Sequence, residues 1–128
     1  MHELISKLRG KVGLEISEPP QAWEIRAAKE DDLIFQIIVP RDVLEWFVTV
    51  REAATDKEVW SDSNEYYATD NETDEELRSF MRHDIERFVD RLLVSTVRLL
   101  KSPKSPLTRL EWRAEDGWEL VSIQEDLP

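Results

Sequence analysis

Residues 74–100 carry an unbroken apolar stripe at the period of an α-helix, and a chain containing such a stripe must find a surface to bury it against. At about 100° per residue, Leu77, Phe80, Met81, Ile85, Phe88, Val89, Leu92, Thr96 and Leu99 share one broad face, opposed by Ser79, His83, Glu86, Arg87 and Asp90. Thr73 stands at the N-cap position with Glu76 three residues on, the spacing of a capping box. Asp74, Glu75 and Glu76 lie where the positive end of the helix dipole favours anions, and Arg98, Lys101 and Lys104 lie where its negative end favours cations. Val94 and Val97 fall outside the stripe, so the last turns are expected to be apolar nearly all round. Either the rest of the chain or a second copy must then cover them.

The surface for the helix comes from segments with a different period. Trp23, Ile25 and Ala27 alternate with Glu24 and Arg26, the pattern of a half-buried strand, and Lys29 to Asp32 supply a polar turn. The run LIFQIIV at 33–39 is almost continuously apolar and ends at Pro40, which predicts a central strand covered on both faces. Over 44–52, Trp46, Val48 and Val50 point one way and Glu45, Phe47, Thr49 and Arg51 the other. Short strand pieces are expected at 58–61 and 65–68. Asp116-Gly117 is a preferred hairpin turn between strands at 109–114 and 118–123, pairing Trp112 with Val121 and Leu110 with Ile123. That hairpin puts Trp118 on the side of Glu111, Arg113 and Leu120. Before all of these, Leu4, Ile5 and Leu8 line one side of a short helix over 2–9 that Gly10 and Gly13 stop.

These elements predict an α+β fold: an antiparallel sheet of about five to seven strands, one long α-helix packed on one face, and a short N-terminal helix. The 128 residues are read as a single domain, with a lead-in over 1–20, strands over 22–68, the long helix over 74–100 and a C-terminal hairpin over 109–123. Ser-Pro punctuation at 102–106 separates the last two.

Charge narrows the function classes. Of the formal −11, the stretch 58–77 holds eight acids (Glu58, Asp62, Glu65, Asp70, Glu72, Asp74, Glu75 and Glu76) and no Lys or Arg. Elsewhere twenty acids nearly balance seventeen bases. A local negative surface repels phosphate backbones and anionic lipid and draws basic surfaces. Nucleic-acid binding is not expected, because Asp74, Asp84, Glu86 and Asp90 each sit within a turn of one of the helix arginines Arg78, Arg82, Arg87, Arg91 and Arg98 and offset most of their field. With no cysteine, no signal-peptide run and no apolar span, the chain is expected to be cytoplasmic, off the membrane and without disulfides.

No catalytic, cofactor or metal residue can be assigned. The histidines are His2 and His83, and no nucleophile is placed by motif to work with either. Three glycines do not make a phosphate-cradling loop. Asp70-x-Glu72-x-Asp74 resembles the start of a calcium loop, but Glu75 stands where that loop needs glycine and Met81 where it needs a bidentate glutamate.

The remaining signal is a run of acids interleaved with aromatics. Trp60, Asp62, Glu65, Tyr66, Tyr67, Asp70 and Glu72 are the candidate partner-binding residues, aromatics as anchors and carboxylates to steer a basic protein. This is the logic of an immunity-type inhibitor that neutralises a nuclease-like protein by presenting acids in place of phosphates. A plainer reading makes Trp60 and one tyrosine core and the acids a solvated loop. The alternative function is a homodimer or other homo-oligomeric adaptor associating through the apolar C-terminal turns of the helix or through Trp118. An enzyme with a carboxylate site ranks below both.

Overall fold

A computed structural model describes residues 1–101, 103–104 and 108–123. In chain order the elements are α1 (His2–Arg9), β1 (Glu15–Ser17), β2 (Ala22–Lys29), β3 (Leu33–Pro40), β4 (Glu45–Glu52), β5 (Lys57–Glu65), α2 (Asp74–Val94), β6 (Val97–Lys101), β7 (Thr108–Ala114) and β8 (Gly117–Leu120), with a 3₁₀ turn at Glu30–Asp32. The strands form two antiparallel sheets, one of five strands in the order β1-β2-β3-β4-β5 and one of three in the order β6-β7-β8. The fold is α+β as expected, although the strands divide between two sheets instead of filling one.

Alternation in β2, β3 and β4 builds the core. Trp23, Ile25 and Ala27 pair with Val39, Ile37 and Phe35, and Ile37 and Phe35 pair in turn with Val48 and Val50, so all point to one face. That face is closed by Leu4, Ile5 and Leu8 of α1 and by Met81, Ile85, Phe88, Val89 and Leu92 of α2, in one continuous cluster. The smaller sheet completes the cluster with Val97, Leu110 and Trp112, joined by Val121 and Ile123 just after β8. Phe88 is the hinge between layers, its ring centroid 5.8 Å from Trp46 and 5.5 Å from Trp112.

The structure corrects several expectations. α2 ends at Val94, not at residue 100. Ser95 is extended (φ −100°, ψ 143°), and Val97 and Leu99 pair across β6–β7 with Trp112 and Leu110. Val94, Thr96 and Val97 are β-branched and so weak helix formers, and the spacing of Val97 and Leu99 fits a strand as well as the continued stripe. The all-round apolar helix end therefore does not exist: Val97 is buried in the small sheet, and Val94 alone is left outside at 86% exposure. The basic residue in the last helical turn is Arg91, not Arg98, Lys101 or Lys104. Phe80 is also 52% exposed. It lies roughly 100° from the centre of the buried line through Leu77, Met81, Ile85, Phe88 and Leu92.

β3 is central but covered on one face only: Leu33, Phe35, Ile37 and Val39 are buried, while Ile34, Gln36 and Ile38 are half-buried beside Phe47 and Thr49 on a face with no second layer among the described residues. β1 is a strand inside the lead-in that the sequence pattern did not show. β5 is one strand with a bulge opposite Val50/Arg51, and Tyr66, Tyr67 and Ala68 follow it outside any strand.

The C-terminal hairpin turns one step earlier than expected. Ala114 pairs with Gly117 and Arg113 with Trp118, so Trp112 faces Glu119 and not Val121. Of the turn residues, Gly117 alone takes a positive φ, 138°, so the turn is not the primed type that Asp-Gly suggests. The shift preserves sidedness, and Trp118 lies with Glu111, Arg113 and Leu120 as read from the sequence. Ser102, Ser105 and Pro106 of the expected Ser-Pro break lie outside the described residues.

Candidate functional site

The acid–aromatic run divides into a structural half and an exposed half. Trp60 and Tyr66 belong to the first. Trp60 pairs with Val50 on the core-facing row of β5 and packs against the core. Asn64 pairs with fully buried Trp46 on the same row, and Tyr66 follows it to close a polar knot beneath α2. Trp46 Nε1 and Asn64 Nδ2 each donate to the Tyr66 hydroxyl at 3.0 Å, and that hydroxyl donates to Asp84 Oδ2 on α2 at 2.6 Å. Burial first, and then the hydrogen bond to Asp84, hold the Tyr66 phenol well above its ordinary range. Tyr66 is therefore a rivet between sheet and helix.

Asp62 pairs with Val48 and so lies on the α2 side of the sheet, half-buried, its Oδ1 accepting from the Ser63 amide at 2.9 Å. Glu72 also has a local reason for its charge. Its Oε2 accepts from the amides of Thr69 and Asp70 at 2.8 and 2.7 Å, and the Thr69 hydroxyl adds a bond of 3.2 Å to Oε1. These donors hold the Glu72 carboxyl below the ordinary glutamate range, the Asp70 amide contributing most. Thr73 and Glu76 form the expected capping box, Thr73 Oγ1 accepting from the Glu76 amide at 3.2 Å.

Glu65, Tyr67 and Asp70 form the exposed half. Glu65 lies directly across the β4–β5 ladder from Glu45, a like-charge pair that costs stability in a sheet. Tyr67 is 67% exposed and donates its hydroxyl to Glu65. That bond, more than burial, raises the Tyr67 phenol above its ordinary value, and the charge of Glu45 adds to it. Asp70 is exposed in the adjoining loop. Sequence reasoning missed Glu45, because only strand register brings a residue from the previous strand into the acidic group.

Among the described residues, the one ion pair within 58–77 is that of Glu75 with Arg82, 3.4 Å apart. Of the helix acids expected to pair along α2, Asp84 meets Arg87 at 3.9 Å as expected, whereas Glu86 meets Lys7 at 2.5 Å and Asp90 meets Lys11 at 2.7 Å, both tying α1 to α2. His83 is exposed on the polar face of α2.

Shallow hollows open on the uncovered sheet face, and two of them are wide enough to weigh as sites. One, of about 410 Å³, is lined by Gly13, Leu14, Glu15, Arg26, Ala28 and Ile34. The other, of about 330 Å³, lies over β4 and β5 beside Phe47, Thr49, Ser61 and Ser63. Neither brings two carboxylates, or a base and a nucleophile, to one point. Among the described residues no group of three His, Asp or Glu side chains is arranged to hold a metal ion, and no helix is long and apolar enough to cross a membrane. No protein-family model, no curated protein and no solved structure matches the chain.

Proposed function

We propose that the chain is a protein-binding module that takes a basic partner through the surface made by Glu45, Glu65, Tyr67 and Asp70. The observation that carries this reading is the cross-strand pair Glu45–Glu65, with exposed Tyr67 against it and no described cation beside it. Like charges placed opposite each other weaken a sheet, and natural proteins hold such local costs where a surface does other work. A guanidinium or ammonium from a partner relieves that repulsion, and the Tyr67 ring supplies the flat amphipathic contact that interfaces favour. An immunity-type inhibitor of a nuclease-like protein is the specific form we favour, since its target surface is built for phosphates. The exposed part of the surface excludes Trp60 and Tyr66, which support the scaffold, and Glu72, which organises the loop.

The test is association with an arginine-rich peptide followed by stopped-flow fluorescence at increasing salt. The on-rate should fall steeply between low and physiological ionic strength, and Glu65→Lys with Asp70→Lys should abolish the salt dependence. An unchanged on-rate in that double variant contradicts the proposal. The homo-oligomeric alternative has lost one of its two structural supports, because the helix end it invoked turns into β6 and buries Val97.

A further inference from the structure

The outward face of the small sheet has the opposite character to the acidic surface. Register places Arg98, Glu111 and Leu120 in one row across β6, β7 and β8, with Leu100 and Arg109 in the next row and Arg113 beside Trp118 in the last. Glu111 is buried at 4% exposure, and both its oxygens are taken, Oε1 by Arg98 at 2.8 Å and Oε2 by Arg109 at 3.2 Å. The Arg98 guanidinium also lies 4.0 Å above the Trp118 ring, and that of Arg113 lies 5.6 Å away. Within these rows one carboxylate anchors three guanidinium groups, an excess of positive charge bounded by Glu115 and Asp116 of the adjoining turn, on a chain whose net charge is −11. Leu100 and Leu120 flank it at 40% and 58% exposure.

We infer that this face docks an acidic polypeptide segment carrying apolar side chains. Charge complementarity sets the sign of the partner, since Arg109 and Arg113 present exposed guanidinium groups that pair bidentately with carboxylates. The leucines set its second property, because carboxylates alone leave them in water while an apolar side chain between two acids covers them. A nucleic acid fits less well. Its backbone buries neither leucine, its charge density meets the field of a chain at −11, and the Trp118 face that a base would stack on already holds Arg98. The face is separate from the Glu65–Tyr67 surface, so the two readings stand or fall apart.

The experiment is a calorimetric titration of the full chain with a synthetic peptide of alternating glutamate and leucine. It is repeated with a single-stranded oligonucleotide, and with Arg113→Glu and Leu120→Asp variants whose folding is verified by circular dichroism. Both substitutions lie on the surface and spare Glu111. The inference expects peptide binding that weakens about tenfold in each variant and weakens with added salt. Any of three results overturns it: no peptide binding, binding by both variants as tight as by the unsubstituted chain, or tighter binding of the oligonucleotide than of the peptide. Sedimentation of the chain alone supplies the last arm, and self-association lost in Arg113→Glu would overturn it by making a second copy the occupant.

Discussion

Replacing Tyr66 with phenylalanine removes one oxygen and breaks three hydrogen bonds at once. The Trp46 indole N–H is left without an acceptor in a side chain that is fully buried, at about 1–3 kcal/mol for an unsatisfied buried donor. Asp84 loses a charge-assisted bond of 2.6 Å, and with its side chain 18% exposed it regains part of that from water. Asn64 lies at the sheet edge and recovers most of its bond. The sum is about 3 kcal/mol. For 128 residues the unfolding entropy is roughly 0.27 kcal/mol/K, so the melting temperature should fall by about 10 °C. Urea denaturation followed by tryptophan fluorescence, with a thermal melt beside it, measures both.

The same variant has a pH signature. The Tyr66 phenol is raised above 10.0 in the folded chain, so the stability it contributes is complete below that unfolded value and is lost as pH rises through the higher folded value. The wild type should therefore lose stability on an alkaline limb that begins near 10.0 and is shallower in Tyr66→Phe, where of the two raised phenols only that of Tyr67 remains. A loss below about 1 kcal/mol at neutral pH would mean that Trp46 and Asp84 do not depend on that hydroxyl.

Two further tests address the loop and helix start that follow Tyr66. Thr73→Ala removes the N-cap acceptor for the Glu76 amide and should cost about 1 kcal/mol, read as a shift of the urea midpoint at constant slope; no shift would mean that the first turn of α2 holds without its cap. Glu72 is held below the ordinary glutamate value, so its contribution to the loop is present above that value and is lost as pH falls through the lower folded one. Carboxyl chemical shifts followed through an acid titration should show Glu72 among the last glutamates to protonate, and Glu72→Gln should remove the pH dependence of the Asp70 amide shift. Protonation of Glu72 at the ordinary value would contradict the hydrogen bonds assigned to it.

Most of the fold was legible because hydrophobic period and side-chain burial coincide in it. Trp46, Val48 and Val50 alternate without exception, and the capping residues Thr73 and Glu76 mark the start of α2 as they were read to. The end of α2 was not legible. Leu92, Thr96 and Leu99 keep helical spacing while Val97 and Leu99 keep strand spacing, and pairing with β7 decides between them. That decision hid the arginine face, because Arg98 assigned to a helix gives no reason to look for Trp118 beside it. The acidic stretch was visible as composition, but its division was not. Tyr66 and Tyr67 are adjacent in sequence, and the turn from β5 toward α2 sends one beneath the helix and the other into solvent. Glu45 joined the group only through cross-strand register, which a single sequence does not display.

Docking at Glu45, Glu65, Tyr67 and Asp70 can be mapped residue by residue. Backbone amide shifts of the isotopically labelled chain would be followed through a titration with an arginine-rich peptide at physiological salt. Perturbations should concentrate at residue 45 and over 63–71, and should disappear in the Glu65→Lys, Asp70→Lys variant. Perturbations spread evenly over all exposed acids, or centred on the α1–α2 face, would contradict docking at this surface.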